Sequence, residues 1–246
     1  MNEKKLGIIG GSGLYNLGEL KEEVEIQTEF GLVYLKIINI NGFTVYFLPR
    51  HGEKHEIPPH KINFRSNILA FKECGIKDII STSAVGSLRL DFKPGMFGTC
   101  YQFIDFTKSR NSTYFDSFKG GAGHTDMTEP YSNKLNNLIE KSFIKNRIDY
   151  IKDLTMIVTE GPRFETKAEI KAYSILGGEI VGMTGYPEVA LAKELKLGYS
   201  SIAICTNYAA GISPNPLSHQ EVIEVMNKVS GHLQNIISDL IILYYS

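Results

Sequence analysis

Residues 183–211, MTGYPEVALAKELKLGYSSIAICTNYAAG, decide the fold class of this chain. They read as a helix with Pro187 in its first turn, a short turn, and a buried apolar strand from Ile202 to Cys205. A polar side chain, Asn207, then stands where the strand runs out. In an α/β sheet ligands gather at the carboxyl ends of the strands, so Asn207 is placed to read a bound molecule. Its amide donates and accepts hydrogen bonds at once.

The alternation of helix and strand continues on both sides. Residues 167–176 are expected to be helical and Glu179 to Met183 a strand, while Val222, Val225, Val229, Leu233 and Ile236 recur at helical spacing from Ser218 onward. Toward the amino end, Leu6 to Ile9 is a short buried strand. Tyr34 to Ile40 and Phe43 to Leu48 flank Asn41-Gly42, a hairpin signal that adds antiparallel pairing. Asn63 to Cys74 places Phe64, Ile68 and Phe71 on one helical face, with Gly75 as its left-handed terminator. Strands follow at Asp78 to Ser83, Thr99 to Ile104 and Leu154 to Thr159, and an amphipathic helix at Ser132 to Arg147. The polar stretch Thr107 to Asp126, with Gly120, Gly121 and Gly123, reads as a mobile loop. The expected architecture is a single α/β domain over residues 1–246.

Composition narrows the function. With 246 residues, 43% of them hydrophobic and a net charge of −1, the chain can bury one core. No run of Lys or Arg exceeds a pair, so no nucleic acid and no anionic membrane surface is expected as a partner. A small molecule is. Cys74, Cys100 and Cys205 lie far apart and read as free thiols. The apolar run near the amino end is too short for a signal peptide, no stretch reaches spanning length, and a cytoplasmic location is expected.

Three loops at expected strand ends are suited to an anion. Gly10-Gly11-Ser12-Gly13 offers backbone N–H groups and a hydroxyl, although alone it reads first as a tight turn. The third glycine of a dinucleotide fingerprint would fall at Asn16, which rules that motif out. Arg50-His51-Gly52 offers a guanidinium fork and an imidazole. His51 and His55 have the i,i+4 spacing of zinc ligands, but Gly52 and Pro58-Pro59 oppose a helix and no third ligand is evident, so no metal is expected. Ser81 to Ser87 ends a strand in hydroxyls, which serve equally as helix caps. Together the three suggest a phosphate or phosphorylated ligand.

The motifs IIGGSGLY (8–15), RHGEKHEIPPHKINFRSNI (50–68), TSAVGSL (82–88), MTEPYS (127–132), TEGPRF (159–164) and MTGYPEVALAKEL (183–195), with the strand before Thr206-Asn207-Tyr208, span nearly the whole chain. In that order they resemble the methylthioadenosine phosphorylase and purine nucleoside phosphorylase family. The resemblance implies a twisted mixed sheet flanked by helices, and a homotrimer or dimer of trimers. It also implies cleavage of a purine nucleoside by inorganic phosphate, a co-substrate, with no cofactor. By the same resemblance Ser12, Arg50, His51, Ser83, Ala84 and Thr184 hold phosphate. Met183 lies against the ribose, Phe164 packs on the purine, and Asn207 with Tyr208 and Ala209 ends the base pocket. Asn207, His51 and Arg50 carry catalysis, and His124 matches a residue lent to a neighbouring subunit.

The departures bear on the substrate. Methylthioadenosine phosphorylases carry aspartates at the positions of Asn207 and Ala209, whereas Glu165 matches the purine nucleoside phosphorylase pattern of a glutamate that accepts from N1–H of a 6-oxopurine. Hypoxanthine or guanine is therefore the expected base. At the 5′ end, His219 resembles a histidine that meets a ribose hydroxyl, which favours inosine or guanosine. Residues 184–188 and 208–211 instead look like bacterial methylthioinosine phosphorylases. Two other readings remain at this stage: His219 as a surface residue, and a non-catalytic nucleoside-binding protein on the same fold.

Overall fold

Leu6–Gly10 (β1) is buried along its whole length and pairs in parallel with Phe43–Pro49 (β4) on one side and Asp78–Ser87 (β5) on the other. This computed structural model describes residues 4–11, 14, 17–119, 123–214 and 217–246. Gly31–Ile40 (β3) joins β4 as the expected hairpin, with Asn41 and Gly42 both at positive φ (53° and 86°), as a tight two-residue turn requires. Glu19–Thr28 (β2) adds an outer antiparallel strand that the sequence reading left unassigned. Only its second half alternates, with Val24 and Ile26 packed on the core and Thr28 buried, while the charged first half is exposed; that charge also blunts the sheet edge.

Beyond β5 lie Phe97–Phe106 (β6), Tyr150–Thr159 (β7), Ile180–Gly182 (β8) and Gly198–Tyr208 (β9). The strand order is β2-β3-β4-β1-β5-β8-β7-β6-β9, and β9 also pairs back onto β5. Five strands thus close on themselves, parallel at β5–β9, β6–β7 and β7–β8 and antiparallel at β5–β8 and β6–β9. The mixed sheet of the sequence reading is therefore half barrel, half open extension. Helices Phe64–Glu73 (α1), Asn133–Lys145 (α2), Lys167–Ile175 (α3), Glu188–Glu194 (α4) and His219–Tyr245 (α5) accompany it. Four start on side-chain caps, from Asn63, Ser132, Thr166 and Ser218.

Several strands outrun their expected limits, and two of them bear on the cavity. β5 continues through Ser87, so Ser81, Thr82, Ser83 and Ser87 are buried inside the sheet rather than exposed in an anion loop. The reason is mutual satisfaction with β9: Ser81 donates to Ser201 at 3.1 Å and Ser201 to Ser83 at 3.3 Å. β9 continues through Tyr208, which makes Asn207 its penultimate residue. In the stretch read as a mobile loop, Arg110 is almost fully buried and Arg65 pairs with Asp116 at 2.7 Å, anchoring its first part. Gly120 and Gly121 lie outside the described residues.

All three cysteines are free. Burial pushes the Cys100 and Cys205 thiols up to about 12. No described helix is long and apolar enough to cross a membrane.

Helix α5 lays Met226, Val229, Leu233, Ile236, Ile237, Leu240 and Ile241 into a core shared with Leu6, Ile8 and Ile202. Leu233 is fully buried there, so Leu233→Ala is expected to lower stability by about 2–5 kcal/mol in chemical denaturation. A loss under about 1 kcal/mol would show that α5 does not close this core.

Candidate active site

A cavity of about 490 Å³ opens at the carboxyl ends of β4, β5, β8 and β9, where an α/β sheet offers a ligand site. Arg50 and His51 follow β4; Ala84, Val85 and Gly86 come from β5; Gly182, Met183 and Thr184 end β8; Thr206 and Asn207 end β9. The loop after β7 adds Phe164 and Glu165, and the start of α5 adds His219 and Val222.

One end of the cavity is organised by a buried ion pair. Arg50 is 1% exposed and Glu188, at the head of α4, is 0% exposed. Their fork is bidentate, Nε to Oε1 at 2.6 Å and Nη2 to Oε2 at 2.9 Å. Nη1 donates to the Thr82 carbonyl at 2.9 Å and reaches the Thr184 hydroxyl at 3.4 Å. Burial works against the guanidinium charge, but Glu188 outweighs it and holds the Arg50 pKa above its ordinary value. Gly11 fits because a Cβ there would sit 2.8 Å from the Thr82 carbonyl and 3.1 Å from Nη1.

The pair belongs to a closed ring of buried side chains. Tyr199 donates toward Glu188 at 2.6 Å and toward Ser81 at 2.7 Å; Ser81, Ser201, Ser83 and Thr184 lead back to Arg50. Tyr199 has one proton for two neighbours, so the direction of the hydroxyl chain is coupled to the carboxylate. Ser83 thereby supports Thr184 from behind.

His51 is 7% exposed, and its Nδ1 lies 2.8 Å from the Ile57 carbonyl, an acceptor only, so Nδ1 carries the proton. Burial first, and then the Arg50 charge, pull its pKa down to about 4. Neutral His51 therefore keeps Nε2 as its lone-pair nitrogen for a ligand. The His55 ring leans on it at 4.5 Å, and burial with the nearby His219 lowers the His55 pKa. Among the described residues no group of His, Cys, Asp or Glu is arranged to hold a metal ion.

At the other end, Asn207 accepts from Thr206 Oγ1 through Oδ1 at 2.9 Å and donates from Nδ2 to the Tyr208 carbonyl at 3.0 Å. The two bonds fix which way the amide faces, and each amide atom keeps one further bonding direction. Glu165, 9% exposed, accepts from Thr159 Oγ1 at 2.7 Å. Burial raises its pKa against the opposing effect of that bond.

Of the residues singled out from the sequence, Arg50, His51, Ala84, Phe164, Glu165, Met183, Thr184, Asn207, Ala209 and His219 line this cavity. Ser83 stands behind the wall. Tyr208 is absent from the lining; its hydroxyl donates to the Leu90 carbonyl instead. His124 is exposed, edge-on to Phe118, and lies outside the cavity wall. Ser12 lies outside the described residues.

Sequence reading passed over two buried charges. Glu188 is the only acid on the buried side of the short α4 helix, among Val189, Ala190, Leu191 and Ala192, and a charge in an apolar run signals a partner. Arg110 gave no such signal in its polar surroundings. It donates to the carbonyls of Tyr186, Thr159, Glu160 and Met183 at 2.6–3.0 Å, tying together the strand ends that carry Glu165 and Thr184.

Removing one partner of a buried pair strands the other charge, so Glu188→Ala is expected to lower stability by about 3–5 kcal/mol in chemical denaturation. Glu188→Gln, which keeps an acceptor, is expected to lose less. Equal, small losses in both would show that Arg50 does not depend on Glu188.

Comparisons with known proteins identify the family. Residues 5–242 match the family model described as the phosphorylase superfamily. A relative from Thermococcus kodakarensis named "Probable 6-oxopurine nucleoside phosphorylase" is 48% identical over 94% of this chain and 89% of its own length. One from Methanocaldococcus jannaschii named "Probable S-methyl-5'-thioinosine phosphorylase" is 44% identical over 96% and 91%. The solved methylthioadenosine phosphorylase from Schistosoma mansoni in complex with adenine superposes with a TM-score of 0.93 at 31% identity, covering 98% of this chain and 92% of that one. With its cavity at the strand ends and its match from residue 5 to residue 242, the chain belongs to the phosphorylase superfamily.

Proposed function

We propose that this chain cleaves 6-oxopurine nucleosides, inosine and guanosine, with inorganic phosphate, releasing the free base and ribose 1-phosphate. The observation that carries the reading is the pairing of Asn207 and Glu165 on one cavity, with Arg50, His51 and Thr184 on the same lining. A 6-oxopurine has an N1–H and an O6. Glu165 accepts a hydrogen bond from N1–H, while Asn207 donates its remaining Nδ2 hydrogen to O6 and accepts at Oδ1 from N7 once that nitrogen is protonated. A 6-aminopurine offers a lone pair at N1, which faces the Glu165 carboxylate unfavourably.

The chemistry follows from where charge develops. As the glycosidic bond breaks, the ribose becomes positive and the purine negative. Phosphate held by Thr184, His51 and the Arg50 Nη1 hydrogen that reaches Thr184 only at 3.4 Å stabilises the first, and the second is stabilised as N7 takes up a proton from solvent and donates it in a hydrogen bond to Asn207 Oδ1. His51 presents a lone pair at Nε2, so a proton has to come with phosphate or be taken up by the ring at that contact. Holding both reactants together adds the gain of proximity. Phe164 and Met183 supply apolar surface for the purine and ribose. No step requires a metal or a covalent nucleophile.

At the 5′ end, His219 and His55 on the cavity wall support a ribose hydroxyl. The second reading, methylthioinosine, is favoured by Leu217 and Val222, apolar groups of the same lining, and by the relative from Methanocaldococcus jannaschii. His124 is exposed and off its own cavity, the placement of a residue lent to a neighbour, and we take the assembly to be a homotrimer.

The test is phosphate-dependent base release from inosine, guanosine, methylthioinosine and methylthioadenosine. Methylthioadenosine is expected to be slower than the best 6-oxo substrate by about two orders of magnitude, and its being fastest would refute the reading of Asn207 and Glu165. His219→Val is expected to shift preference from inosine toward methylthioinosine. An unchanged ratio would show that His219 does not meet the 5′ group.

A further inference from the structure

Thr159, the last residue of β7, is buried, and its hydroxyl has one proton to give. The Glu165 carboxylate accepts it at 2.7 Å, while the alternative acceptor, the Gly182 carbonyl, is 3.5 Å away. The shorter contact to a charged acceptor takes the proton. Oε1 of Glu165 is thereby occupied, and Oε2 is the oxygen left for a ligand. We propose that Thr159 is a specificity-determining positioning residue, whose hydroxyl keeps the Glu165 carboxylate ionised and turned toward the N1–H of a 6-oxopurine. This rests on the base reading given above.

The need for such a residue is visible in the surroundings. Glu165 is enclosed, and enclosure favours the neutral acid, which has lost much of its capacity to accept N1–H. The other charged and titratable groups around it offer little relief. Arg163, whose charge favours the carboxylate, is bound to Glu169 at 2.7 Å; Glu160 and Glu169 add negative charge, Tyr173, Lys108 and His219 stand on the same linings, and Arg50, His51, His55 and Glu56 lie elsewhere on the cavity wall. Thr159 is the neutral side-chain donor in direct contact, beside the backbone N–H of Glu165 itself. Removing its hydroxyl raises the Glu165 pKa, so the carboxylate is lost at a higher pH as the solution is acidified. A protonated Glu165 can donate to the N1 lone pair of a 6-aminopurine. Loss of the hydroxyl therefore weakens selection for the oxo base and favours the amino base.

The experiment measures kcat/KM against pH for inosine and adenosine at saturating phosphate, in the unmodified enzyme, Thr159→Val, Thr159→Ser and Glu165→Gln. In Thr159→Val the acid limb for inosine is expected to move up by about one pH unit. Its kcat/KM near neutrality is expected to fall about tenfold, mostly through KM, with the adenosine-to-inosine ratio rising. Thr159→Ser restores the hydroxyl and is expected to return the limb to its place, a rescue that mere packing damage would not show. An acid limb unmoved in Thr159→Val, while Glu165→Gln removes the inosine preference, would overturn the role of Thr159 and leave the base reading standing. An inosine preference that survives Glu165→Gln would overturn the base reading and this inference with it.

Discussion

The buried pair of Arg50 and Glu188 is the constraint on which the site depends. A guanidinium taken fully out of water is tolerable only with a carboxylate in bidentate contact, and Glu188 supplies it from the first turn of α4. The pair joins the end of β4 to a helix that follows β8, segments more than a hundred residues apart in sequence. Once Glu188 has neutralised Arg50, the ring through Tyr199, Ser81, Ser201, Ser83 and Thr184 fixes the hydroxyl that faces the cavity. Arg50 offers direction more than net charge, through the one nitrogen not bound to Glu188.

The same principle, a buried polar group oriented by a partner behind the wall, recurs around the cavity. Ile57 fixes the tautomer of His51, Thr206 and the Tyr208 carbonyl fix the amide of Asn207, and Thr159 holds Glu165. Each group meeting a ligand is set before the ligand arrives, which is what preorganised electrostatic stabilisation requires. Arg110 does this for backbone, binding four carbonyls at the ends of β7 and β8 so that Glu165, Met183 and Thr184 keep their spacing.

Much of this was legible in the chain because periodicity and turn chemistry are local. The Asn41-Gly42 hairpin, the helix ended by Gly75, the long closing helix and the strand leading to Asn207 lie where local rules put them. The closure of β9 onto β5 was not legible, since pairing between strands over a hundred residues apart leaves no local trace. Nor was β2, where charge dominates the first half and the alternation of Val24, Ile26 and Thr28 is short. The hydroxyls of Ser81 to Ser87 suggested an exposed anion loop, because sequence does not reveal that Ser201 waits on the facing strand to satisfy them. The pairing of Glu188 with Arg50 leaves no local trace either, because the two lie 138 residues apart. Tyr208 is next to Asn207 in sequence, yet its hydroxyl reaches the Leu90 carbonyl and not the cavity.

The central claim is that an amide at position 207, working with Glu165, selects the 6-oxopurine. It is tested most directly by exchanging one atom group, Asn207→Asp, and measuring the ratio of kcat/KM for inosine to that for adenosine with phosphate present. A carboxylate accepts from a 6-amino group and repels O6, so the ratio is expected to fall by about a hundredfold. A ratio unchanged by Asn207→Asp would contradict the account.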